Sequence, residues 1–554
     1  MSGRGRLAAF LVSLAVVIAL AHDRARSQAP SSAAAAPFPI RQVAYLKASN
    51  AAPGAHFACG GSLPGHIGNS IAISSDGSTL AIGAPHENSG ARGINGNQND
   101  ESAYGSGAVY VFTRRGDSWA QQAYIKASNP GQSDNFGSRV ALSANGNTLA
   151  VSAVWEASAA TGISGNQNDD SIPQSGAVYV FTRTGNTWAQ QAYIKASNTG
   201  RAPVDNDDFG DGDQFGFTLA LSGDGNTLAA GAVSEDSRAS GINNLAFQND
   251  DSAASSGAVY VFTRTGNTWA QQAYVKAANS EANDLFAYDV ALNADGNTMV
   301  VGAFNEDGSG RTVNAIPDNL LAAGGGNGAV YVFERTGTTW RQTAYVKGSR
   351  TEANDALGYS VAISEDGNTI AAGAGEENCL TPGVNPAGCE NSRVVPPGAP
   401  APIGGSSGAA YVWARNGNTW TEMAFIKSSN PDPNDWFGVR MAMSGDGNTL
   451  VVDAQNEDSN AKGINGNQSD DSAEESGAVY VFTRSGNTWV QRAYVKGSNT
   501  EAFDEFGSAI AIAGDGKTIV VGARGEGSAA KGLNGNQDDN SAREAGAAYV
   551  FAIN

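Results

Sequence analysis

Cysteine, histidine, methionine and positive charge are all scarce in this chain. It holds 554 residues, of which three are cysteine, four histidine and five methionine. His56 precedes Cys59 by three residues, but no histidine lies near Cys379 or Cys389, so the cysteines do not read as a metal centre. Apart from His22, which cleavage would leave at the mature N-terminus, the chain holds only His56, His66 and His86, none in a repeated loop or beside a nucleophile turn, which leaves little for catalysis to use. Lys plus Arg total 34 against 54 Asp plus Glu, a net charge of −20. Such a surface repels phosphate backbones and excludes nucleic acid as an expected partner, while it favours cations such as Ca²⁺.

Long apolar runs are missing too, with one exception. Leu7–Ala21 is apolar, follows Arg4 and Arg6, and ends in the small residues Ala19-Leu20-Ala21. It is shorter than the roughly 20 residues a membrane helix needs. It reads as a cleaved export signal over residues 1–21. Cleavage removes two arginines and no acid, leaving −22. Residues 22–39 read as a flexible lead-in, and no membrane insertion is expected after cleavage. The expected location is secreted, periplasmic or cell-surface. In that setting Cys379 and Cys389, in one Gly/Pro-rich loop, can close a small disulfide, and Cys59 is left as a buried thiol.

What the chain has in abundance is glycine, 70 residues, and one repeated text. GAVYVFTRTGNTWAQQAYVKAAN runs from Gly257 to Asn279, and relatives of it start at Gly107, Gly176, Gly328, Gly408, Gly477 and Gly546. Each unit reads as four strands. The first is a VALS-like segment such as Val140–Ser143, followed by an Asp-Gly or Asn-Gly pair that suits a two-residue type I′ hairpin. The second is Thr148–Ala153 and its equivalents. The third, GAVYVF, is apolar on both faces and should be buried on both. The fourth, Trp-x-x-x-Ala-Tyr-x-Lys, has glutamines and a terminal lysine and reads as a solvent-facing outer edge.

The chain ends complement each other. Val43–Lys47 matches a fourth strand with no third strand before it, and Gly546–Phe551 is a third strand with no fourth after it. The fold expected is therefore all-β: a seven-bladed β-propeller over residues 40–554, with four antiparallel strands per blade and the ring closed by the N-terminal strand joining the last blade.

The unit resembles the FG-GAP repeat of integrin α-subunit propellers and their bacterial relatives. The FG pair is present at Phe136-Gly137, Phe215-Gly216, Phe437-Gly438 and Phe506-Gly507; Phe286-Ala287, Leu357-Gly358 and Ile67-Gly68 read as altered copies. Gly83-Ala84-Pro85 is the one complete GAP, and two copies change its glycine. The calcium loop that the resemblance implies, an Asp-x-Asp-x-Asp-Gly ladder between the first and second strands, is replaced here by the short hairpin, so those calcium sites do not carry over.

Antiparallel order places the loops after the second and fourth strands on one face. These are the long, acidic ones, and binding is expected there; the opposite face of tight turns is expected to be inert. Four of the long loops carry a GINGNQNDES-like motif. Its closely spaced oxygens make Asp169, Asp170, Asp470 and Asp471 candidate Ca²⁺ ligands, against the alternative that they form Asx turns. The acidic run Asp205–Asp213 is a second candidate. The strand tryptophans and tyrosines read as blade packing. The function expected is a non-catalytic, monomeric binding or adhesion scaffold for an extracellular protein or glycan, possessing no cofactor beyond possible Ca²⁺. The alternatives are a propeller enzyme acting on glycans through loop carboxylates and a purely structural protein.

Overall fold

In the second blade, Phe136–Leu142 is the innermost strand, followed outwards by Thr148–Ala153, Ala177–Thr184 and Thr187–Ile194. Six further antiparallel four-stranded sheets repeat this order. The computed structural model describes residues 38–59, 69–200, 212–315, 326–389 and 405–554, and Pro39–Asn554 form one compact unit. The proposed signal at residues 1–21 and nearly all of the lead-in lie outside the described residues. Among the described residues no helix is long and apolar enough to cross a membrane.

The ring closes as the sequence predicts. Ile40–Leu46 pairs antiparallel with Ala547–Ile553, from Ile40 opposite Ile553 to Leu46 opposite Ala548, and supplies the outer strand of the last blade. The first five residues of the third strand are buried because blades cover both of its faces: Ala258 to Phe262 are all solvent-free, while the strand's last three residues run out towards the turn. The core is correspondingly a series of layers between blades. One holds Val109, Val111 and Ile125 of the first blade against Phe136, Tyr179 and Trp188 of the second. Three of the outer-strand tryptophans pin neighbouring outer strands together. Trp188, Trp269 and Trp340 donate from Nε1 to Gln122, Gln191 and Gln272 of the preceding blade at 2.9 Å. Arg183, Arg264 and Arg335 lie over the same three rings at 5.3–5.4 Å.

Three expectations need correction. The Asp-Gly hairpins are not two-residue type I′ turns. Ser74 pairs with Thr79 around four residues, the Gly77 amide donates to the Ser74 carbonyl, and only Gly77, not Asp76, has positive φ (+66°). This is a type I turn followed by a left-handed glycine. The Ser74 hydroxyl donates to Asp76 (2.7 Å) and accepts from the Thr79 amide (2.9 Å), a local bond that a two-residue turn could not make.

Secondly, the first blade takes its FG pair from Phe57-Ala58. Ile67-Gly68 lies outside the described residues. The Phe57 amide donates to the Ala545 carbonyl as the Phe136 amide donates to Ser106, and Phe57 meets Tyr110 edge-on at 5.5 Å as Phe136 meets Tyr179 at 5.3 Å. Residues inserted between this pair and the strand at Ile71 shift it away from the regular spacing.

Thirdly, the lysine that ends each outer strand is not solvent-facing. Lys47, Lys126, Lys195, Lys276, Lys347, Lys427 and Lys496 are all buried, because each meets a glutamate of the loop after the second strand.

Candidate functional site

The long-loop face is built on that repeated ion pair. In the second blade Glu156 accepts from Lys195 Nζ (2.8 Å), the Tyr193 hydroxyl (2.8 Å), Asn129 Nδ2 (3.1 Å) and the Ser158 amide (3.1 Å). Lys195 also donates to the Ser175 hydroxyl at 2.7 Å. The seven Lys–Glu separations are 2.6–2.8 Å. A buried charge needs such saturation to be tolerated. It also leaves these glutamates committed to the scaffold.

A second carboxyl stands beside the first in most blades. Asp134, Asp284, Asp435 and Asp504 are buried two residues ahead of the FG position. Burial, reinforced by the neighbouring blade glutamate, lifts Asp134 and Asp504 to about 7 and Asp284 and Asp435 to about 8.

The sequence-predicted residues fall on the rim of this face. Asp169 accepts from the Ser171 amide (3.0 Å) and Asp470 from the Ser472 amide (3.2 Å), which are Asx turns. Asp170 and Asp471 are exposed. Among the described residues no three His, Cys, Asp or Glu side chains come together as a metal site. Of the acidic run, residues 205–211 lie outside the described residues, and Asp213 is buried with its carboxyl accepting from the Gly200 amide (2.8 Å). The motif's other oxygens hold the loop to the blade: Asn129 Nδ2 donates to the Gln167 carbonyl (2.9 Å), and Ser158 Oγ donates to that of Asn166 (2.7 Å). In the fifth blade Cys379 occupies the place of that serine and is joined to Cys389, with Cα atoms 5.5 Å apart, so a covalent clamp replaces a hydrogen-bonded one. Cys59 is buried, and its thiol interacts with His56 and Arg524.

The feature that sequence reasoning missed is the mouth of the central channel on this face. The residue before each FG position is left-handed in all seven blades: His56, Asn135, Gln214, Leu285, Ala356, Trp436 and Glu505, with φ between 50° and 61°. That bend lets two successive amides reach the previous blade, as when Asn135 and Phe136 donate to the Gly105 and Ser106 carbonyls. A non-glycine residue there costs about 1–2 kcal/mol, so bulky side chains at this position are held against backbone preference. On one side of the mouth Phe217, Tyr288, Tyr359 and Trp436 come from consecutive blades, with centroids 4.9–6.4 Å apart, and Phe304 packs against Tyr288 at 4.3 Å. Trp155, Phe304 and Trp436 are half-buried. The other side is polar. His56 lies on His86 (4.4 Å) and 3.3 Å from Glu544, and Arg524 pairs with Glu505 at 2.6 Å. Burial and the charges of His56 and Arg524 push His86 down to about 4. The signal in the sequence was departure from the repeat: these columns differ from blade to blade while the strands hardly change.

Below the mouth lies a charged layer. The two blades that lack the GAP glycine, at Ser152 and Asp453, carry Arg139 and Arg440 on their innermost strands. The new side chains accept from those arginine amides at 3.0 and 2.7 Å. Arg139 Nη1 is 3.7 Å from Asp289, and Arg440 Nη1 is 3.7 Å from Asp453, which burial lifts to about 7 despite Arg440. At the turn face the channel ends in a ring of backbone hydrogen bonds. Ser75, Ala144, Gly223, Ala294, Glu365 and Gly445 each donate to the next blade (2.8–3.1 Å), and Asp515 returns to the Ser75 carbonyl at 3.0 Å. Glu365 bonds across this ring to the Ser75 hydroxyl.

The FG-GAP repeat matches the chain over residues 119–181, 269–333, 420–482 and 489–551. Each match starts at an outer-strand tryptophan and ends in the third strand of the next blade. No curated protein matches the chain. Among solved structures, the WD40 repeats of RRP9 are 9% identical, with 92% of this chain and 100% of that one covered and a TM-score of 0.43. Hydrazine synthase of Kuenenia stuttgartiensis is 12% identical (81% and 91% covered, TM-score 0.41). A proposed 6-phosphogluconolactonase of Bacteroides uniformis ATCC 8492 is 10% identical (79% and 88% covered, TM-score 0.42). At these identities and scores the likeness says nothing about the site.

Proposed function

The chain is a seven-bladed β-propeller that carries FG-GAP repeats, and on that premise we propose that it is an exported, non-catalytic binding scaffold whose long-loop face takes an extracellular protein or glycan. One observation carries the reading. Among the described residues six large apolar side chains are exposed, and five of them (Tyr104, Leu245, Phe247, Leu380 and Phe503) stand in the long loops; only Val490 lies on an outer strand. Exposed apolar side chains concentrated in the loops of one face of an otherwise acidic surface favour binding on that face. The half-buried aromatics of the channel mouth extend the same face. The non-catalytic part rests on the carboxyls of this face being committed to the scaffold: the seven glutamates are each engaged by a buried lysine, and Asp134, Asp284, Asp435 and Asp504 are buried with their carboxyls turned to backbone amides.

The test is a glycan array and a pull-down with the mature protein and with a Tyr104→Ser/Phe503→Ser variant, Val490→Ser serving as control. Loss of the captured ligand in the first variant alone supports the reading; equal capture by all three refutes it. Both are run with and without Ca²⁺, because Asp169, Asp170, Asp470 and Asp471 stand on the same face. A calcium-dependent rise in melting temperature that disappears in Asp170→Asn/Asp471→Asn would assign the ion to them.

A further inference from the structure

One of the seven inter-blade seams lacks a side chain that the other six have. Asp134, Asp213, Asp284, Asp355, Asp435 and Asp504 each turn a carboxyl oxygen back to a backbone amide of the preceding link. The donors are Gly131, Gly200, Glu281, Glu352, Asp432 and Glu501, at 2.6–2.9 Å. In the seam between the last and first blades the equivalent residue is Ala55. The match is set by the backbone: the Ala55 amide donates to the Ala52 carbonyl (3.2 Å), as Asp355 does to Glu352 and Asp435 to Asp432. Ala52 is therefore the counterpart of the six donors, and its amide has no acceptor among the described residues.

A cavity opens at this place. It is lined by Ala52 and Ala55 and by His86, Glu87, Glu101 and Lys531. Glu87 and Glu101 are the counterparts of Glu156 and Asp170, the acids that face Asp134 in the second blade. The protein thus presents six copies of a place filled by a carboxyl and one copy in which the carboxyl is gone, the donor amide remains and there is space.

We propose that this cavity binds the carboxyl group of a small carboxylic acid, which enters the seam between the last and first blades and takes the position held elsewhere by aspartate. The proposal rests on the long-loop face being the binding face and gives that face a defined subsite. The carboxyl is taken up with its proton, as the raised aspartates of the other seams indicate. The charged and titratable groups facing it are Glu87, Glu101, Lys531 and His86, with His56 stacked behind His86.

The experiment uses the full mature chain and acetate as the probe, at about pH 5.5, where the protonated form is available, with chloride holding ionic strength constant. Saturation-transfer NMR of the acetate methyl should show saturable binding, and the melting temperature should rise with acetate and level off. Ala55→Asp should raise the melting temperature without acetate and abolish both acetate responses. Ala55→Leu, which fills the space without a carboxyl, should also abolish them and decides the matter if the aspartate variant fails to fold. No saturable acetate signal, or a signal unchanged in both variants, overturns the proposal. Competition by glucuronate supports the site with a sugar acid as its source; acetate binding without that competition supports it with a small free acid. A failed search for a macromolecular ligand leaves the acetate result standing, and a failed acetate titration leaves the loop-face reading standing.

Discussion

Replacing Lys195 by methionine removes the cation from a carboxylate with no other counter-ion at bonding distance. Glu156 keeps its bonds from Tyr193, Asn129 and Ser158, but it stays solvent-free. Breaking a buried pair from one side costs about 3–5 kcal/mol, because the remaining charge is uncompensated. At about 2.1 cal/mol/K per residue, a unit running from Pro39 to Asn554 has an unfolding entropy of about 1 kcal/mol/K. The melting temperature of Lys195→Met should therefore fall by about 3–5 °C, read by circular dichroism at neutral pH. Lys195→Met/Glu156→Leu should be more stable than the lysine variant alone, since the orphaned charge is gone; the Tyr193 and Asn129 groups left behind prevent full recovery. Arg238→Ala is the contrast, because its pair with Asp250 (2.5 Å) is largely exposed and should leave the melting temperature unchanged. A Lys195→Met protein within a degree of the parent would refute the reasoning, as would a double variant no better than the single one.

Stability should fall as pH rises through 7–8. Asp134, Asp504, Asp284 and Asp435 are raised to about 7 or 8 from an unfolded value of about 3.9, so their contribution is complete below about pH 4 and is lost as pH climbs through the folded values; urea midpoints at about pH 5.5 and 8.5 should differ in that direction. Gly302→Ala should cost several kcal/mol, since a Cβ there would overlap the Gly358 carbonyl oxygen of the next blade, whereas Ser152→Gly should cost less; denaturant titration of the two checks this. Deleting residues 37–48 removes the outer strand from the last blade and the Lys47 partner of Glu526, so a melting temperature equal to that of the full chain would contradict the closure.

Closure, blade number and strand order were legible because they depend on features the sequence repeats: apolar strands, Asp-Gly punctuation and two half-copies at the ends. The fourth-strand lysines were misread because a single strand says only that lysine is polar. Their partner, a glutamate such as Glu156, lies 39 residues earlier, and burial follows from the pair. The signal was nonetheless present as a glutamate after the second strand in every unit. The first FG pair was misplaced because an insertion breaks the spacing that locates it. The channel mouth was invisible for the opposite reason. Trp155, Phe304, Trp436 and His86 are isolated departures from the repeat, and only the ring geometry brings them to one axis.

The backbone ring at the turn face gives the molecule a hub. Ser75, Ala144, Gly223, Ala294, Glu365, Gly445 and Asp515 join seven blades head to tail, so the radius at that end is fixed as a hoop fixes barrel staves. Any breathing of the disc has to occur at the rim of the other face, where the blades meet through loops and side chains. Movement there takes the form of small tilts of the blades about the hub, opposed at each seam by amide pairs such as His56 and Phe57 on Glu544 and Ala545.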